Sequence, residues 1–117
     1  MKKVVALGAV LLALSVANAA PVSYHTTHYQ CEGKQRISVK HVNVDSNNFA
    51  VVTYKGRQYA LAPAVSASGV RYVGLVGMTL NTGLEWVEWH GQGFLNSFPN
   101  NKPDSARSVL NNCKVLR

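Results

Sequence analysis

From residue 31 onward, apolar positions recur every second residue rather than every third or fourth, which is the pattern of half-buried strands. Ile37 and Val39 alternate with Ser38 and Lys40, and Val42 and Val44 resume the alternation after a one-residue slip at His41, which predicts a bulge there. Asp45-Ser46-Asn47-Asn48 is a turn cluster. Residues 49–54 are β-branched and aromatic; Lys55-Gly56 and the run 57–62 complete a hairpin signal that Pro63 is expected to end. Residues 70–76 and 78–80 read as strand segments interrupted at Gly74 and Gly77. Asn81-Thr82-Gly83 reads as a turn and residues 84–89 as a strand. Gly91 and Gly93 flank a bend, and residues 96–104, with Pro99 and Pro103, read as a long loop. Val109-Leu110 and Val115-Leu116 bracket Cys113 in a closing strand, with room for one helical turn over 105–110. Residues 22–29 are polar and irregular and read as a loose leader. Seven or eight short strands with regular turn signals predict an all-β antiparallel barrel or sandwich. Glycines inside the strands suit the tight curvature of a small barrel.

The N-terminus has a different pattern. Lys2 and Lys3 precede an apolar run over residues 4–16, and Ala17-Asn18-Ala19 supplies small residues for cleavage. The run is too short to span a bilayer comfortably, so residues 1–19 read as a signal peptide cut near Ala19, with one domain over 20–117. No Cys directly follows the run to accept a lipid, so no stable membrane anchor is expected; the simplest location is the periplasm. In such an oxidising compartment Cys31 and Cys113 read as one disulfide; a two-Cys metal site or a catalytic thiol has no obvious partner residues.

Composition narrows the chemistry. The 117 residues are 47% hydrophobic, enough for a core. Lys and Arg number 12 against 5 Asp and Glu; without Lys2 and Lys3, ten cations face five acids, a net +5. Five carboxylates leave little for acid–base catalysis, and Glu85 and Glu88, three apart on a strand, face opposite ways. No Gly-x-Ser-x-Gly elbow marks a nucleophile, so no enzymatic activity is expected. His25 and His28 have no evident third ligand, so neither a metal nor another cofactor is expected. The ten cations never form a run of three, which argues against nucleic acid as a partner. Trp86 and Trp89 face opposite sides of their strand, leaving one exposed.

One segment stands apart: Ser66-Ala67-Ser68-Gly69-Val70-Arg71-Tyr72. Small residues leading into a strand leave the backbone open to close approach by a partner, and Ser68 adds a hydroxyl that both donates and accepts.

This segment resembles the signature of the bacterial inhibitors of c-type lysozyme, the membrane-bound and periplasmic lysozyme inhibitor family. Tyr29-Gln30-Cys31 resembles that family's opening, residues 49–61 its central hairpin, and Leu110-Asn111-Asn112-Cys113 its closing segment. The resemblance implies an eight-stranded antiparallel barrel and c-type lysozyme as protein partner, with residues 66–72 entering the catalytic cleft and Ser68 meeting the catalytic carboxylates. Ser66, Ala67, Ser68, Gly69, Arg71 and Tyr72 are the lysozyme-binding residues it implies. The family's second loop reads Trp-x-Lys-Gly. Here the corresponding stretch is Leu80-Asn81-Thr82-Gly83, placing Thr82 where lysine is expected, beside the first loop. That departure implies weaker inhibition of the usual targets or a different lysozyme preference. The absence of an anchoring Cys makes the periplasmic branch the nearer one. An alternative reading of another class is an exported adhesin-like barrel using its exposed aromatic rings and positive charge. Oligomeric state is not legible in the sequence.

Overall fold

A computed structural model describes residues 22–74, 77, 82–99 and 102–117. Its strands are β1 (Val22–Gln30), β2 (Arg36–Val44), β3 (Asn47–Tyr54), β4 (Arg57–Ala64), β5 (Val70–Gly74), β6 (Thr82–Trp89), β7 (Gln92–Pro99) and β8 (Arg107–Val115). Two short 3₁₀ turns, Glu32–Lys34 and Pro103–Ser105, precede β2 and β8. Each strand pairs antiparallel with the next, and β8 returns to β1 through Tyr29↔Val115 and Gln30↔Lys114, closing an eight-stranded barrel. Among the described residues, no helix is long and apolar enough to cross a membrane.

Alternation along each strand fills the barrel interior. Ile37 and Val39 of β2, Ala50 and Val52 of β3, Tyr59 and Leu61 of β4, Tyr72 of β5, and Leu84 and Trp86 of β6 are all buried in one cluster. Trp86 is fully buried. Its ring meets Tyr29 edge-on at 5.1 Å and lies over Gly93, where any Cβ would collide with it. Cys31 and Cys113 form the expected disulfide, 82 residues apart in sequence. In the loop-entropy account such a bridge stabilises by roughly 4–5 kcal/mol.

The structure corrects several readings of the pattern. Residues 22–29 form most of β1, paired along the whole of β2 from Val22↔Val44 to Gln30↔Arg36. Backbone pairing holds this strand while most of its side chains stay exposed, so hydropathy carried little sign of it. No bulge interrupts β2 at His41, for the registers with β1 and β3 are both continuous. His41 keeps the interior parity of Ile37 and Val39, and Val42 turns outward beside Phe49, Val51 and Ala60. The irregularities fall instead between β7 and β8, around Leu95. Pro63 lies within β4. The β3–β4 ladder ends at Ala50↔Leu61, so Pro63 sits where β4 is paired on one side, a position its missing N–H tolerates. Residues 96–99 extend β7 rather than opening a loop, and over 105–110 the chain enters β8 instead of a helical turn. The expected signal segment 1–19, the strand segment 78–80 and Asn81 lie outside the described residues.

Candidate functional site

In a barrel of sequential antiparallel strands, alternate connections fall at the same end. The β2–β3 turn at Asp45-Ser46, the 65–69 connection and the β6–β7 turn at His90-Gly91 therefore share one rim. The Lys55-Gly56 turn and the start of β6 lie at the other. Ser66, Ala67, Ser68 and Gly69 are exposed on the first rim, and Val65 before them is 92% exposed.

The 65–69 loop is tied down at both of its ends. On the outer face, Arg71 donates from Nε to Glu85 Oε2 at 2.7 Å and from a terminal nitrogen to the Val65 carbonyl at 3.2 Å. Asn96 donates to the other Glu85 oxygen at 2.9 Å, so this buried carboxylate is satisfied at both oxygens. At the far end of the loop, Gly69 lies against the Glu88 backbone, and Val70 pairs with Glu88 in the ladder. Gly69 has φ of 71°, and a Cβ there would collide with the Glu88 carbonyl oxygen. Inside the loop, Ser66 Oγ donates to the Ser68 carbonyl at 2.6 Å. The Ser68 hydroxyl is exposed and has no hydrogen bond among the described residues.

Tyr72, the last residue of the motif, is 2% exposed. It points into the barrel, where Asn48 approaches its hydroxyl at 3.4 Å and His41 meets its ring edge-on at 5.8 Å. Its position supports the loop from beneath. A groove of about 460 Å³ runs beside the loop, lined in part by Asn48, Phe49, Pro63, Ser66 and Tyr72.

The Glu88 side chain belongs to an interior cluster that the sequence reading did not single out. His41 Nε2 contacts Glu88 Oε2 at 2.6 Å, and Trp86 Nε1 donates to the same oxygen at 2.7 Å. The hydrogen bond to Glu88 raises His41 above 6.5, and the carboxylate's charge adds to it against the opposing effect of burial. For Glu88, burial acts to raise the carboxyl; the bonds from His41 and Trp86 together with the His41 charge outweigh it, and its pKa sits below 4.5. Burial first, then the negative charge of Glu88, pushes Tyr29 up to about 12. The one signal of this cluster in the sequence was the slip at His41, where a polar residue takes an interior position.

Thr82 is not beside the loop. Val70 of β5 pairs with Glu88 and Gly74 with Leu84, so the loop meets the end of β6 and Thr82 begins it. Six residues of strand separate Thr82 from Glu88, about 20 Å at 3.3 Å per residue. The residues that do share the rim are Trp89 and His90. Trp89 is 47% exposed, its ring lies 4.1 Å from the His90 ring at a tilt of 53°, and its Cδ1 lies close to Gly69. The expectation that one of the two tryptophans faces solvent is met by Trp89, with Trp86 inside. His25 and His28 lie on opposite faces of β1, with His28 bonded to Ser38 at 2.8 Å. Among the described residues, no group of three His, Cys, Asp or Glu side chains is placed to hold a metal.

A small closed barrel with a braced, serine-bearing loop on one rim defines the class of protein. The family model described as membrane-bound lysozyme-inhibitor of c-type lysozyme matches residues 29–103, and the chain belongs to that family. A protein from Cupriavidus necator named membrane-bound lysozyme inhibitor of C-type lysozyme is 35% identical over 122 residues, covering 97% of this chain and 90% of that protein. In fold, the chain is similar to the crystal structure of the periplasmic lysozyme inhibitor of C-type lysozyme from Salmonella typhimurium. The TM-score is 0.61 at 20% identity, over 81% of this chain and all of the other.

Proposed function

We propose that the protein inhibits c-type lysozyme by seating the 65–69 loop in the enzyme's catalytic cleft. The observation that carries this reading is the Ser68 hydroxyl, exposed on a loop tied at Val65 through Arg71 and at Gly69 by the Glu88 backbone, and unengaged among the described residues. Family membership supports the choice of partner. A retaining glycosidase holds its two carboxyl groups about 5–5.5 Å apart, one protonated and one ionised. An oxygen midway between them sits about 2.7 Å from each, an ordinary O–H···O distance. A hydroxyl there donates to the ionised group and accepts from the protonated one, so its burial leaves no partner unsatisfied.

Val65, Trp89 and His90 extend the contact surface around Ser68. His90, followed by Gly91, lies on this rim beside Trp89 and takes the part sought at Thr82. Tyr72 and Arg71 hold the loop rather than face the partner. The chain acts as a plug without catalysis of its own and works after export to the periplasm, with cleavage near Ala19.

The test is lysis of bacterial cell walls by animal c-type lysozymes with and without the purified 20–117 protein. Inhibition is expected, and Ser68→Trp is expected to abolish most of it while leaving the circular dichroism spectrum unchanged. Equal lysis rates with and without the protein, across several such lysozymes, overturn the reading.

A further inference from the structure

We propose that Glu88 and His41 are positioning residues for lysozyme binding: their interior pair fixes the β6 backbone against which the 65–69 loop is seated. The proposal rests on the inhibitor reading and adds to it the part of the molecule that sets the loop's place.

Interior positions of this barrel are apolar or aromatic at nearly every step, yet His41 and Glu88 occupy two of them near the loop-bearing rim. A carboxylate and an imidazole inside a barrel are a liability for stability unless each finds partners. Here they do: one oxygen of Glu88 receives both His41 Nε2 and Trp86 Nε1. The side chains are 22% and 25% exposed, so the pair is only partly shielded from water.

The pair reaches the loop through backbone. Glu88 is the residue whose carbonyl lies against Gly69 and whose ladder partner is Val70. The Glu88 side chain is bonded to Trp86 two residues earlier and to His41 across the barrel, which ties the backbone bearing that carbonyl to the interior. His41 also meets the ring of Tyr72, so the first strand residues after the loop are held from the same cluster. The titratable groups facing the pair come from several strands: Tyr29 of β1, with His25 opposite His41 in the register; Tyr72 of β5, approached by Asn48 of β3; and Glu88 itself on β6. Glu85 and Arg71 lie on the other face of the sheet and brace the loop independently.

A merely structural pair would lower global stability when broken and move nothing else. A positioning pair has a local signature, which hydrogen exchange reads without lysozyme. In Glu88→Gln, the amides of Val70 and Arg71 are expected to exchange about tenfold faster, while those flanking the Lys55-Gly56 turn keep their wild-type rates. Inhibition by Glu88→Gln is expected to be about tenfold weaker than wild type at pH 6, a loss of about 1.4 kcal/mol of binding. The wild type and variant are compared at each pH against the same lysozyme, so the enzyme's own titration cancels. The gap between them is expected to narrow as pH rises and His41 loses its charge.

His41→Gln keeps a donor to Glu88 without the charge. Its inhibition is expected to fall short of wild type at pH 6 and to converge with wild type as pH rises, and it serves as the second variant should Glu88→Gln fail to fold. Wild-type exchange at Val70 and Arg71 in both variants, with wild-type inhibition at every pH, overturns the proposal while leaving the inhibitor reading intact. If the wild type inhibits no c-type lysozyme, the inhibitor reading falls and with it the binding role of the pair.

Discussion

Gly69 and Gly56 have nearly the same φ, 71° and 75°, and each sits in a connection between neighbouring strands. Their surroundings differ completely. A Cβ at Gly56 meets nothing within 4 Å, whereas at Gly69 it would strike the Glu88 carbonyl. The Lys55-Gly56 turn needs glycine only for its own backbone conformation, as a tight hairpin does. The 65–69 loop needs it because another strand has come too close for a side chain. The first is a local requirement and the second is a tertiary one. The rim that carries the exposed serine is thus also the rim where a connection is packed down onto the barrel and braced by Glu85, Arg71 and Glu88.

Gly69→Ala puts the tertiary requirement to the most direct test. Left-handed backbone strain alone costs about 1–3 kcal/mol, and the collision with Glu88 adds to it. A midpoint drop of at least about 5–10 °C is expected by calorimetry, with inhibition weakened more than stability because the loop itself must move. If Gly69→Ala melts and inhibits as wild type does, the loop is not seated on β6.

A smaller effect tests the bracing from inside. The His41 contribution to stability is complete below 6.5 and is lost as pH rises through its raised pKa; the Glu88 contribution is complete above 4.5 and is lost as pH falls through its lowered one. Both are therefore present between pH 4.5 and 6.5, and the melting temperature is expected to be highest there. In His41→Gln the decline on the alkaline side should flatten; an unchanged alkaline limb would remove His41 as its cause.

The smallest effect is expected at Gly56→Ala, which meets only its own backbone strain, on the order of 1 kcal/mol. Inhibition should stay at the wild-type level, since this turn lies at the far end of the barrel. A loss of inhibition there would mean that the two ends are coupled in a way the packing does not show.

Much of this molecule was legible residue by residue. The alternation at Ile37 to Lys40, the β-branched run 49–54 and the Lys55-Gly56 turn are local signals of two strands and a hairpin, and two cysteines in an exported chain pointed to the disulfide. The segment from Ser66 to Tyr72 was recognisable from its small residues and its likeness to a known signature. Strand β1 was not, because exposed side chains on a backbone-paired strand leave no hydropathy pattern. The Thr82 expectation failed for a related reason. Sequence distance from the first loop says nothing of which end of the barrel a residue reaches; the β5–β6 register decides that, and it brings Trp89 and His90 to Ser68 instead.

The amino-acid order alone determined the class of fold, through a period of two that only a sheet satisfies, and the identity of the loop, through residues too small to fill space themselves. The tertiary structure decided which rim that loop shares, which of two glycines is indispensable, and that His41 and Glu88, 47 residues apart, meet inside the barrel. The reason is physical: periodicity is a property of neighbouring residues, whereas strand register and the pairing of interior polar groups exist only once the sheet has closed on itself.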